Sequence, residues 1–289
     1  MSLLAATIAP LGAQEPVPAA APADSVMEVR LKDGSVLIGR VESQTETQVV
    51  LMTRSGARVE VPRAEILSMR SVAVRANGEV WPDDPNLTRL FFSPTGRALR
   101  KGEGYISAFY LFLPFVAYGV TDRFTMAGGT PILPGAIGRV MYLAPKYTVF
   151  EAPRSSFAVG GIGFFAPESL DEGSFGILYG VSTFGSRDRA VSLGAGWGYF
   201  TGDEIGSGTS SEPVFVLGGE QRITRRVKLI TENWLAVNPG VDGVWSGGFR
   251  FIGDRLSADL GFLGFIGEGG CCAPMVNFVW AFGNQKPSR

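Results

Sequence analysis

From residue 104 onward the sequence alternates with a period of two, and neither of its faces is the densely charged one that water demands. Along 189–201, Val191, Leu193, Ala195, Trp197 and Tyr199 share one face and Ser192, Gly194, Gly196 and Gly198 the other. In 256–266, Leu256, Ala258, Leu260, Phe262 and Ile266 oppose Ser257, Asp259 and Gly261. In 274–283, Val276, Phe278, Trp280 and Phe282 oppose Met275, Asn277, Val279 and Ala281. In 174–185, Phe175, Ile177, Tyr179 and Val181 oppose Gly176, Gly180 and Ser182. Period two means strands, whose successive side chains point to opposite faces. A water-soluble β-sandwich would carry Lys, Glu and Arg on its outer face. Here the larger side chains suit hydrocarbon and the Gly/Ser rows suit a lumen.

Five short Arg-bearing turns punctuate this region at roughly 33-residue intervals: Asp122-Arg123, Arg154, Arg187-Asp188-Arg189, Arg225-Arg226 and Asp254-Arg255. Between them lie longer loops at 131–138, 167–173, 202–212, 238–243 and 267–273, rich in Gly and Ser and acidic where charged. The interval fits two strands, one tight turn and one longer loop, the repeat of an up-and-down transmembrane barrel. The expected fold is all-β, with about 12 strands near 104–112, 115–121, 124–131, 139–150, 156–166, 174–185, 189–201, 213–223, 227–237, 244–252, 256–266 and 274–283. An even count brings both chain ends to one side. Tyr118, Phe124, Tyr142, Phe150, Phe165, Tyr199, Trp245 and Phe282 are expected to form aromatic girdles. The competing reading of 104–121 is one membrane helix, since the stretch is uncharged and follows Arg97, Arg100 and Lys101. Pro114 in its middle and its β-branched and aromatic content favour strands.

Composition narrows the chemistry. Charged residues are 18% of the 289 against 45% hydrophobic, with 39 Gly, a deficit that fits a second apolar surface. Net charge is -1, so no global field points to nucleic acid. The chain has no His, which excludes His-based hydrolases and His-ligated metal sites. No enzyme activity, metal or cofactor is expected. Gly161-Ile162-Gly163-Phe164-Phe165-Ala166 formally matches a dinucleotide fingerprint, but no helix pattern follows it. Cys271 and Cys272 are adjacent, a spacing of neither zinc nor redox motifs, leaving incidental residues or a vicinal disulfide.

The N-terminal part divides by composition. Residues 1–13 read as the remnant of a signal peptide and 14–26 as a flexible Pro/Ala-rich linker. Residues 27–72 hold five short strands with turns at Lys32-Asp33-Gly34 and Ser55-Gly56. Leu31-Lys32-Asp33-Gly34-Ser35-Val36-Leu37-Ile38-Gly39-Arg40-Val41, with Val59-Glu60-Val61-Pro62 and Ile66 beyond it, resembles Sm-like sequences. The resemblance implies a small SH3-like/Sm-like β-module. RNA binding would need an aromatic and basic groove, whereas Arg54, Arg58 and Arg63 are scattered among Glu60 and Glu65, so the module reads as a periplasmic adaptor or spacer. Residues 73–103 read as a linker packed at the barrel mouth, with a lumen plug as the alternative.

Tyr118-Gly119-Val120-Thr121-Asp122-Arg123-Phe124-Thr125-Met126-Ala127-Gly128-Gly129 and Phe278-Val279-Trp280-Ala281-Phe282 resemble bacterial outer-membrane β-barrel proteins, although residues 284–289 continue as a tail. The resemblance covers 104–283 and implies outer-membrane lipid as the surrounding partner. On the small-residue face the charges are balanced: Lys146, Lys228 and Arg250 against Glu220, Glu232 and Asp259. Isolated ions are costly in low dielectric, so these six lumen-lining candidates either pair into a structural network or face water as a polar constriction. The expected function is a pore for small solutes; the alternative is an anchor whose module, 27–72, binds a periplasmic protein.

Overall fold

A computed structural model describes residues 26–74, 79–110, 112–132, 139–166, 173–202, 206–210, 212–237, 241–266, 270 and 272–283. The leader, nearly all of the linker after it, the tail at 284–289, Cys271 and much of the five longer loops lie outside the described residues. The chain divides into two compact units, Met1–Met69 and Arg70–Arg289.

In the first unit, β1 (Val26–Leu31), β2 (Val36–Gln44), β3 (Gln48–Thr53), β4 (Arg58–Pro62) and β5 (Ile66–Ser71) form one open sheet in the order β4-β3-β2-β1-β5, antiparallel from β1 through β4. A 3-10 turn, Arg63–Glu65, joins the last two. Gly34 and Gly56 sit at the hairpin turns with φ of 89° and 85°, a region that residues with a Cβ rarely enter. Met27, Val29, Val49, Leu51 and Val61 are the buried core, drawn from alternate positions of β1, β3 and β4.

The second unit opens with a ribbon, β6 (Ala73–Val74) and β7 (Val80–Trp81), and is otherwise a barrel. Its strands are β8 (Gly104–Phe109), β9 (Leu113–Gly119), β10 (Phe124–Gly129), β11 (Met141–Ala152), β12 (Ser155–Phe165), β13 (Ser174–Gly185) and β14 (Arg189–Gly202). After β15 (Gly206–Thr209) come β16 (Val214–Thr224), β17 (Val227–Val237), β18 (Val241–Ile252), β19 (Leu256–Ile266) and β20 (Ala273–Phe282). Leaving β15 aside, each of these strands pairs with the next, β14 with β16 and β20 with β8, so twelve strands close into a ring. The short β15 lies outside that ring, pairing only β14 and extending its hairpin where the sequence suggested loop.

The helix alternative for 104–121 is corrected: β8 and β9 form a hairpin there, with Ser107 opposite Phe115. No helix among the described residues is long and apolar enough to cross a membrane, which says nothing about a barrel. The barrel's outer wall is oily all the way round. Ile106, Val116, Leu193, Trp197, Leu217, Phe249, Leu260 and Trp280 are each at least 44% exposed. An unbroken apolar belt of this kind is a surface for hydrocarbon, and the barrel is a transmembrane one.

On two points the orientation differs from the sequence reading. In β13 the bulky row is reversed: Val181 is buried and Tyr179 faces the lumen, while Leu178 (59% exposed) and Phe184 face outward with Gly180. Both faces of that strand carry apolar side chains, so bulk alone could not choose between them. Tyr142 is likewise no girdle residue: its ring packs on Phe115 and Phe164 inside the barrel.

Candidate functional site: a hairpin held inside the barrel

Of the two placements open for the linker, the chain takes the inner one. Residues 82–100 enter beside the short turns, where Arg222 lies over the Trp81 ring at 5.1 Å and donates to the Pro82 carbonyl at 2.7 Å. They fold back on themselves: Thr95 N–H donates to Thr88 O, Leu90 N–H to Ser93 O, and Arg89 bridges Pro94. The tip is Leu90–Ser93, and Leu90 and Phe91 are buried against Ile230 and Met275. Gly218 makes room for it, since a Cβ there would stand 2.0 Å from a Leu90 methyl. The segment then leaves past Arg97 and Leu99 toward β8. The rim-packed linker is thereby corrected to a plug. The Gly-lined wall leaves a space that a chain lacking secondary structure of its own can fill, provided that its backbone polar groups find partners.

Those partners are the strands' ionic side chains. Glu232 accepts three consecutive backbone N–H groups at the tip, Phe91 at 2.8 Å, Phe92 at 2.9 Å and Ser93 at 3.0 Å, and Trp234 Nε1–H at 2.6 Å. Lys146 Nζ donates to three plug carbonyls, Thr88 and Thr95 at 3.1 Å and Arg97 at 2.7 Å. Arg250 is fully buried. It donates to the Asn86 and Leu90 carbonyls, both at 2.6 Å, and to Asp259 at 2.7 and 3.1 Å. Antiparallel register puts Arg250 directly opposite Asp259, and Asp259 opposite Asn277, which donates to it at 2.9 Å.

Two ionic side chains of the plug complete the network. Asp84 accepts from Lys228 at 2.6 Å and from Arg250 at 3.3 Å. Burial alone would raise the Asp84 carboxyl, but Lys228 and Arg250 together hold it well below the usual carboxylate range. Arg97 bonds Glu220, which also accepts from Lys228 at 2.9 Å. So Lys146, Glu220, Lys228, Glu232, Arg250 and Asp259 are all at most 5% exposed, and every one is engaged with the plug or with a neighbour that is. The sequence did not single out Asp84, Arg89 or Arg97, because a linker has no periodicity to show which way its side chains point.

Among the described residues no group of His, Cys, Asp and Glu is arranged to hold a metal. Cys272 is disulfide-bonded; the chain's one other cysteine is its neighbour.

No family model matches the chain. No curated protein matches it either. Among solved structures, the chain is similar to a KdgM porin in complex with disordered oligogalacturonate, at 6% identity over 63% of this chain and 98% of that one, TM-score 0.44. It is also similar to a NanC porin, at 8% identity over 64% and 99%, TM-score 0.38. A third likeness is OmpT of Vibrio cholerae, at 11% over 89% and 95%, TM-score 0.33. Scores this low carry no argument. The porin-like form rests on the twelve-strand closure and the oily outer wall themselves.

Proposed function

We propose that this protein is a bacterial outer-membrane barrel whose channel for small solutes is closed at rest by its own 82–100 segment. One observation carries the reading: wall side chains bind the plug chiefly through its backbone, with Glu232 on three N–H groups and Lys146 on three carbonyls. Such a plug is held mainly by its backbone, with Asp84 and Arg97 as its ionic contributions, and leaves behind a charged, water-compatible wall when it is withdrawn. The six wall charges then serve as the lining of the opened channel, and their mixed sign gives little preference between anions and cations. The reading assigns no catalysis and no cofactor. Planar-bilayer recording tests it: the intact protein conducts little, and removal of residues 84–97 yields large discrete steps. Equal conductance in the two forms would sink the gate.

The closed lumen also favours a second role, that of an anchor for the first unit. The short turns and both barrel ends share one side, which we assign to the periplasm together with residues 27–72. The SH3-like/Sm-like reading of that unit is supported by its five short strands, its 3-10 turn and Gly39. At Gly39 a Cβ would meet the Met52 carbonyl at 2.5 Å, so the two strands approach closely. Leu67 and Val36, 68% and 48% exposed, are apolar positions for a periplasmic protein partner. Deleting 27–72 should abolish partner capture and leave barrel insertion unchanged; capture that survives the deletion rules the module out.

A further inference from the structure

Opposite the ionic wall the plug leaves a gap. A cavity of about 140 Å³ lies between the tip and strands β8–β13, lined by Phe109, Phe115, Tyr142, Ile162, Phe164 and Tyr179. Two buried cations border it, Arg89 and Lys146. Neither has a carboxylate within ion-pair distance among the described residues: Lys146 meets only carbonyls, and Arg89 meets Asn86 Oδ1 at 3.2 Å, the Phe91 carbonyl at 2.6 Å and Ser107 Oγ at 2.6 Å. A guanidinium has five N–H groups, so two remain on Arg89, which is only 5% exposed and lies 5.0 Å from the Phe115 ring centroid. With Arg222 set aside as the partner of Asp188, the buried set around the plug is Arg89, Arg97, Lys146, Lys228 and Arg250 against Asp84, Glu220, Glu232 and Asp259, five cations to four carboxylates. One counter-charge is missing, and the excess positive charge borders an aromatic cavity.

We infer that this cavity is a binding site for a monocyclic aromatic carboxylate, with the ring against the β8–β13 aromatics and the carboxylate on the two open N–H groups of Arg89. The size fits one ring, since an apolar cavity of roughly 150 Å³ accepts benzene. The charge fits an anion, because a buried guanidinium gains most from a carboxylate that can take two N–H groups at once. The inference does not need the plug to open, so its test is separate from conduction. Calorimetry on the full-length protein in detergent uses three probes of like size: benzoate, benzyl alcohol and benzylamine. Benzoate should bind saturably, benzyl alcohol about tenfold more weakly, and benzylamine not at all. Arg89→Gln should cost benzoate about tenfold and benzyl alcohol little. Ala144→Leu, which fills the cavity from the wall, should remove binding of both without touching the cation. Equal affinity for benzoate and benzylamine, or benzoate binding indifferent to Ala144→Leu, overturns the site. A barrel silent in bilayers in every form would leave it standing.

Discussion

The inner wall has two halves that meet the same plug with different chemistry. From β16 to β19 it presents Glu220, Lys228, Glu232, Arg250 and Asp259, all bonded into one network with the plug. From β8 to β13 it presents rings and aliphatic side chains toward the tip and neutral hydroxyls such as Ser107, Thr148 and Thr183 elsewhere, with Lys146 the buried charge among the described residues. The ionic half fixes the plug's position because each of its bonds is directional and each would be costly to leave unmade. The aromatic half tolerates a cavity, since an unfilled apolar contact loses only dispersion. The tip is thus held by the β16–β19 wall, the arms behind it also by Lys146, Thr148 and Thr183, and the empty volume lies against the β8–β13 rings.

The comparison breaks most easily at Arg250. Arg250→Ala strips the Asn86, Arg89 and Leu90 carbonyls of a donor and leaves Asp84 and Asp259 short of a cation. Losing one partner of a buried ionic set costs about 3–5 kcal/mol. Amide exchange at Phe91, Phe92 and Ser93 should accelerate by orders of magnitude, whereas Ile162→Val on the aromatic wall should leave it unchanged. If the two variants behave alike, the division between walls is wrong. Glu232→Gln is the finer instrument. It keeps one acceptor oxygen but turns an N–H₂ toward donors, so the tip should loosen by about 1–3 kcal/mol. The same three amides report it, with protection at Thr95 falling less than at Phe92.

How far this was legible in the sequence depends on which residues carry a period. The barrel was readable almost strand for strand, because alternation over ten residues has only one geometric solution. Glu220 and Asp259 could be selected because a carboxylate beside Gly or Ser on one face stands out. The faces of β13 could not be assigned, since Ile177, Tyr179 and Val181 compete with Leu178 and Phe184 in bulk. The plug escaped for a related reason. Residues 82–100 are irregular, and nothing in Asp84 or Arg97 taken alone indicates a partner more than a hundred positions away. Proline, glycine and charge together look like any solvated linker until a wall supplies acceptors and donors for the backbone.

The smallest effect is expected from acid, and its sign follows from Asp84. Its carboxyl is held below its ordinary range in the folded protein by Lys228 and Arg250, after burial has pushed the other way. An unfolded or withdrawn plug returns it to an ordinary value of about 3.9. The withdrawn state therefore binds the proton more tightly, and Asp84's contribution to closure is complete above about pH 4 and fades as pH falls below it. Each further unit of acid removes at most about 1.4 kcal/mol, so at pH 3 the loss is near 1 kcal/mol. Asp84→Asn should flatten that part of the profile while lowering closure at neutral pH, because an amide cannot neutralise Lys228. Tip protection, corrected for the intrinsic pH dependence of amide exchange, that stays constant from pH 7 down to 3 in the wild type would mean that the tip is held without Asp84, and that the Asp84–Lys228 pair only braces the entrance.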